Sequence, residues 1–211
     1  MGLFSRTGHQ QAAATAPQQQ GETYKSLALK ALFLALREDR KYHTLELGPA
    51  FGFNIKFLSQ FSSRIRVEDL YRTLQEQRFF DRAEGEPVDE SHFGRIMAIP
   101  SHERFDIILC WDLMNYLKTE ELRALVSYLS RFCDSGTFFF VICSTLRVIP
   151  AAPINFRIAD SETLLYAASS TEVRPCPRYA PRDLGRLMTG FRVQNSFILR
   201  NGMQEYLFVR E

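Results

Sequence analysis

Thr44-Leu45-Glu46-Leu47-Gly48-Pro49-Ala50-Phe51-Gly52-Phe53-Asn54 is the stretch that decides the fold. Thr44–Leu47 reads as a short strand, Gly48–Gly52 as a glycine-bearing turn, and residues 54–60 as the helix that follows. A turn of this kind lets backbone approach a ligand closely. The helix behind it offers N–H groups that have no partner inside the helix. Dinucleotide-binding folds place G-x-G-x-x-G here, the third glycine allowing the helix to pack tightly. In this chain the spacing is Gly48-x-x-x-Gly52 and Phe53 stands where the third glycine would fall, so the nicotinamide fingerprint is broken.

Working outward, strand and helix patterns alternate. Leu27, Leu29, Leu32, Phe33 and Leu36 predict a helix with a wide apolar face, a packing helix or one that meets a membrane surface or partner. Ile65-Arg66-Val67 predicts a second strand, closed by Glu68-Asp69. Helices are expected near 71–79 and from Asp89, and no strand is visible across 80–100. Phe105–Trp111 is the continuous apolar run of a strand buried on both faces. A helix over 119–132, a turn at Asp134-Ser135-Gly136 and a strand over 137–143 follow. Residues 144–180, with Pro150, Pro153, Pro175 and Pro177 and no clean period, are expected as an insertion over the sheet. Pro181 opens another helix at an accepted first-turn position. Two β-rich runs, 191–199 and 203–209, meet at Asn201-Gly202, a hairpin signal because Asn and Gly tolerate positive φ. The expected fold is therefore α/β: Rossmann-like, doubly wound and mostly parallel, ending in an antiparallel hairpin.

Bulk properties narrow the function. The 211 residues are 45% hydrophobic and 24% charged, the makeup of one globular domain, here set at 22–211. With 26 basic and 24 acidic residues the balance gives no electrostatic case for nucleic acid. Cys110, Cys133, Cys143 and Cys176 form no CxxC pair and suggest neither zinc nor a disulfide framework, so no metal is expected and a cytoplasmic location fits. Residues 1–21 are rich in Gln and Ala and are expected to be a disordered tail without a secretory core. Arg6 stands where a myristoylation motif needs Ser or Thr. No apolar run is long enough to span a bilayer.

The glycine turn resembles motif I of class I S-adenosylmethionine-dependent methyltransferases, an acid followed by G-x-G-x-G: Glu46, Gly48, Ala50 and Gly52, with Ala50 for the middle glycine. A purely structural tight turn is the other reading. The family's ribose-binding acid ends the second strand, a place for a group that only accepts hydrogen bonds. Glu68 and Asp69 stand there, and Asp69 before Leu70 matches better; a solvated loop charge is the alternative. Residues 105–117 resemble the fourth motif, Asp134–Phe138 the turn into strand five, and Gly190–Val193 with the hairpin the usual ending.

The resemblance covers residues 25–211 and implies S-adenosyl-L-methionine as cofactor. A transferase acting on a small molecule, or on a protein, is the activity implied. A non-catalytic binding or scaffold protein on the same fold stands beside it, motivated by the altered glycine loop and the unseen third strand. Asp112 is the candidate for orienting a substrate or taking its proton, with capping of the next turn as the alternative. Asn115 and Tyr116 are further catalytic candidates, and Trp111 packs in the core or beside adenine. The fourth motif lacks the Asn/Asp-Pro-Pro-aromatic signature of enzymes that methylate nucleic-acid bases. Arg157, Arg174, Arg178 and Arg182, with Asp160, Tyr166 and Tyr179, form either a salt-bridged surface or a substrate lid. His43 and His92 are remote candidates for a base.

Overall fold

The computed structural model describes residues 21–211 except Glu84, so the expected tail lies, apart from Gly21, outside the described residues. Strand β1 (Glu22–Lys25) leads into helix α1 (Leu27–Ala35). The Ser26 hydroxyl caps that helix by accepting from the Leu29 N–H at 3.1 Å. Strand β2 (Tyr42–Glu46), helix α2 (Gly52–Leu58), strand β3 (Ser62–Val67) and helix α3 (Leu70–Glu76) form the first parallel crossover pair. Helix α4 (Glu90–Met97), capped by Asp89, precedes strand β4 (Phe105–Trp111). Helix α5 (Thr119–Ser130) and strand β5 (Cys133–Ser144) come next.

The stretch 144–180 contains four short strands: β6 (Val148–Pro150), β7 (Asn155–Asp160), β8 (Thr163–Ala167) and β9 (Val173–Pro175). Helix α6 (Pro181–Leu187) and the hairpin β10 (Phe191–Ile198) and β11 (Met203–Arg210) close the chain.

The main sheet runs β10-β11-β5-β4-β2-β3. β3, β2, β4 and β5 are mutually parallel, and β11 slots antiparallel between β5 and β10. The order reverses between β2 and β4, which makes the gap outside their carboxyl ends the ligand-binding position of such a sheet. Both faces are covered. On one, Leu70, Leu74, Phe93, Met97, Leu125, Leu129, Leu184 and Leu187 from α3 to α6 pack on Ile108, Cys110 and Phe139. On the other, Leu29 and Leu32 of α1, Leu58 of α2, and Phe156 and Ile158 of β7 pack on Ile107, Leu109 and Phe140.

Two local outcomes differ from the sequence reading. Asp134-Ser135-Gly136 is not a turn but part of β5. Phe105 pairs with Cys133 and Ile107 with Phe138, so the extra residues form a bulge, and Gly136 takes φ +90° there. The polar strand β1, which shows no alternation, pairs antiparallel with β8, and β7 completes that small sheet. Among the described residues no strand lies between β3 and β4, and α4 occupies that stretch. β3 is thus an edge strand, and it carries Arg64 and Arg66, charged side chains of the kind that guard an edge. They pair with Glu103 and Glu68.

Candidate functional site

A cavity of about 180 Å³ opens at the carboxyl ends of β2, β3 and β4, where the strand order reverses. Its floor is the start of the glycine turn, Glu46 to Pro49. One wall carries Asp69, Tyr71 and Arg72, another Cys110 to Leu113, and its roof is the run Ala152–Phe156.

Glu46 is fully buried at the tip of β2. Its Oε1 accepts from the Gly48 N–H at 3.1 Å and from the Trp111 indole, while Oε2 is buried without a partner. Burial pushes the carboxyl up to about 8, against the pull of those two hydrogen bonds. Gly48 is a glycine for a reason visible here. A Cβ on it would stand 2.9 Å from Trp111 Cδ1 and 3.0 Å from Glu46 Oε1. Trp111 itself sits in the left-handed region at φ +51°, where β4 breaks register with β5. Its ring is held by stacking on Phe156, 5.6 Å apart and 10° from parallel. Such a strained residue persists only where its surroundings over-determine it.

Asp69 caps α3, accepting from the Arg72 N–H at 3.4 Å, and burial raises its carboxyl above the ordinary range. Glu68 lies outside the cavity lining and pairs with Arg66 at 2.7 Å. Ala50 and Gly52 are likewise outside the lining, and a Cβ on Gly52 would meet nothing within 4 Å. Arg72 is the one cationic side chain among the lining residues, and it pairs with Glu76 at 2.9 Å.

Asp112 follows β4 and is 4% exposed. Its Oδ2 accepts from the Ile154 N–H at 3.0 Å, and its Oδ1 is buried without a hydrogen-bond partner among the described residues. Burial pushes this carboxyl up to about 7, opposed by the Ile154 bond and by the nearby Tyr116 hydroxyl. Asp112 also lines a second, smaller cavity of about 70 Å³ that contains Asn115 and Tyr116. Both ends of the Asn115 amide are engaged: Nδ2 donates to Ile142 O at 3.2 Å and Oδ1 accepts from Ser144 N at 2.9 Å. The Tyr116 hydroxyl lies 3.2 Å from Pro150 O and 2.9 Å from Ala152 O. Both therefore hold backbone in place.

Sequence reading missed Asn54, Tyr71 and Phe156. Asn54, buried in α2, donates to Phe156 O at 3.2 Å and accepts from Ile158 N at 2.8 Å, fastening β7 across the cavity. Tyr71 donates to Ala151 O at 3.0 Å. With Asp112 and Tyr116, four side chains thus pin residues 150–158 over the site. An amide on the inward side of an amphipathic helix was the available signal for Asn54; nothing in the sequence marked the other two. His43 and His92 do not line the cavity: His43 Nδ1 lies 2.6 Å from Arg104 O, and His92 closes the cap of α4. Of the insertion's charges, Arg157 lies over the Phe51 and Phe53 rings and Arg174 over Tyr116. The Tyr166 hydroxyl bonds the Glu22 carboxylate and that of Tyr179 the Leu117 carbonyl.

All four cysteines are free. Among the described residues, no helix is long and apolar enough to cross a membrane, and no cluster of three or more His, Cys, Asp or Glu is placed to hold a metal.

No protein-family model matches the chain, and no curated protein matches it in sequence. Solved structures do. The PH0226 protein from Pyrococcus horikoshii OT3 is 14% identical over 87% of this chain and 88% of its own, with a TM-score of 0.51. The glycopeptide N-methyltransferase MtfA, complexed with (S)-adenosyl-L-methionine, is 15% identical over 89% and 96%, with a TM-score of 0.49. An S-adenosylmethionine-dependent methyltransferase from Clostridium acetobutylicum ATCC 824 is 13% identical over 86% and 87%, with a TM-score of 0.46. With its parallel strands in the order found here and an antiparallel last strand inserted beside β5, the chain has a class I methyltransferase-like fold.

Proposed function

We propose that this protein is an S-adenosylmethionine-dependent methyltransferase whose acceptor is a small molecule, working in the reducing cytoplasm. One observation carries the reading. Two buried carboxyls, Glu46 and Asp112, line the cavity at the switch point; among the described residues each has an oxygen with no partner, and no unpaired cation faces them there. Buried carboxyls in this state either keep their proton or ionise against a positively charged ligand, and a cationic ligand is the one that would make use of both.

The donor set suits the cofactor, which carries an ammonium and a sulfonium. Glu46 would hold the amino group. Asp69, an acceptor at the end of β3, would hold the ribose hydroxyls, and Gly48 keeps the floor flat. Volume is the tighter constraint: about 180 Å³ is below the ~300–1,000 Å³ of clefts that bury a drug-sized ligand. Binding therefore requires Phe156 and the roof to yield, or part of the ligand to stay in the mouth beside Arg72 and Gln75.

Bound there, the cofactor supplies an activated methyl group for an in-line displacement, so the chain's work is alignment, water exclusion and proton removal. The pinned roof excludes water. Asp112, whose carboxyl titrates near neutrality, takes the acceptor's proton at Oδ1.

A specific observation favours a second reading, a binding protein without catalysis: the Trp111–Phe156 stack narrows the site, and the indole already lies against Gly48. Calorimetry with S-adenosylmethionine, S-adenosylhomocysteine and NAD(H) separates the readings. Binding of the first two, weakened in Glu46→Gln and absent for NAD(H), supports the proposal. No binding of any of them removes it in favour of the second reading.

A further inference from the structure

We propose that the cavity of about 70 Å³ behind Asp112 is a subsite for a small primary aliphatic amine. Its position is the first argument. Asp112, Ile154 and Phe156 line both this cavity and the larger one, so a ligand here sits across one carboxyl from the larger cavity. The second argument is chemical. Ile142, Val148, Ile149 and Met203 make much of the wall apolar, and among the described residues no cationic side chain lines the space. Asn115 engages each end of its amide with β5 once, and the Tyr116 hydroxyl lies against the insertion's backbone and near Asp112. Ser144 and Asn201 also line the space, but the one charged group there is Asp112, which has one oxygen tied to Ile154 and the other without a hydrogen-bond partner among the described residues.

A carboxylate among apolar walls binds a cation far better than a neutral donor, and it rejects an anion outright. An alcohol would satisfy only the protonated carboxyl. An ammonium satisfies the ionised one, and the Asp112 carboxyl lies close enough to neutrality for an ammonium to ionise it. The proton displaced goes to solvent. Size follows from volume: about 70 Å³ is roughly half of the ~150 Å³ apolar cavity that takes a benzene ring, which leaves room for about three non-hydrogen atoms inside. Leu146 and Val148, each about half exposed, stand on the outer side, where the rest of a longer molecule can leave the protein. Naming the amine as the methyl acceptor rests on the methyl-transfer reading; its binding does not.

The test needs no cofactor. The full chain is titrated with methylamine, n-propylamine, n-hexylamine, n-propanol and propionate, followed by calorimetry and by NMR shifts of the bound ligand. The expected order is propylamine tightest, propanol at least tenfold weaker and propionate not bound. Asp112→Asn keeps an acceptor for the Ile154 N–H and should weaken propylamine at least tenfold while leaving propanol within about twofold. Met203→Trp fills the space and should abolish binding of both. Equal affinity for amine and propionate, or propylamine binding unchanged in Asp112→Asn, overturns the proposal, as does no amine binding to a folded wild-type chain. S-adenosylmethionine binding is measured on the same samples. Amine bound without cofactor sinks the methyl-transfer reading and spares the subsite; cofactor bound without amine does the reverse.

Discussion

Replacing Glu46 by Gln should reverse sign with pH. In the folded chain this carboxyl is pushed up to about 8 from its ordinary 4.5 because it is buried beneath the cavity. A carboxyl raised on folding stabilises the protein fully below 4.5, and the contribution is lost as pH climbs to about 8. At ~1.4 kcal/mol per pKa unit the full loss is about 5 kcal/mol, a large part of a typical stability. Gln keeps an oxygen for the Gly48 N–H and the Trp111 indole and does not titrate. Urea denaturation from pH 5 to 9 is the assay, with the variant minus wild-type difference as readout. Asp112, also raised by burial, and Glu205, raised by burial under α1, bend the wild-type and variant curves alike and cancel. At pH 5 the variant should be equal to wild type or slightly less stable. By pH 8.5 it should be more stable by several kcal/mol, with the change concentrated between pH 5 and 8. A difference that stays flat across this range would refute the assignment of a buried, unpaired carboxyl.

Gly48→Ala brings a Cβ to 2.9 Å from an indole that Phe156 prevents from retreating, and should cost about 1–3 kcal/mol in thermal unfolding. Asp69→Ala removes a helix cap and should cost about 1 kcal/mol, whereas Asp69→Ser keeps a cap; if the carboxylate binds ribose, both lose nucleoside affinity about tenfold by calorimetry. Asn54→Ala leaves Phe156 O and Ile158 N without their buried partner. It should cost about 2–4 kcal/mol and speed hydrogen exchange at Ile158, and an unchanged exchange rate would mean the roof is held by something else.

Most of the fold was legible because it is written in local periods. The apolar run Phe105–Trp111, the hairpin signal at Asn201-Gly202 and the Asp89 cap each became the expected element. Misreadings arose where a neighbour overrode a local signal. Asp134-Ser135-Gly136 looks like a turn, but pairing with β4 draws it into a bulged strand. Glu22–Lys25 has no strand pattern of its own and becomes one only because β8 offers an edge.

The site divides along the same line. By itself the sequence determined that a strand-turn-helix with an acid at Glu46 and small residues at Gly48 and Ala50 opens the sheet, that acids follow β3, and that Asp112 follows β4; spacing along one chain is enough for that. Tertiary structure alone decided that Asn54 fastens the insertion over the cavity, that Phe156 stacks on Trp111, and that Glu46 and Asp112 each keep an oxygen without a partner. Those facts depend on residues about forty to about a hundred positions apart. Partnering and burial, which set the charge state of a carboxyl, are properties of the packed interior and leave no mark in a local pattern.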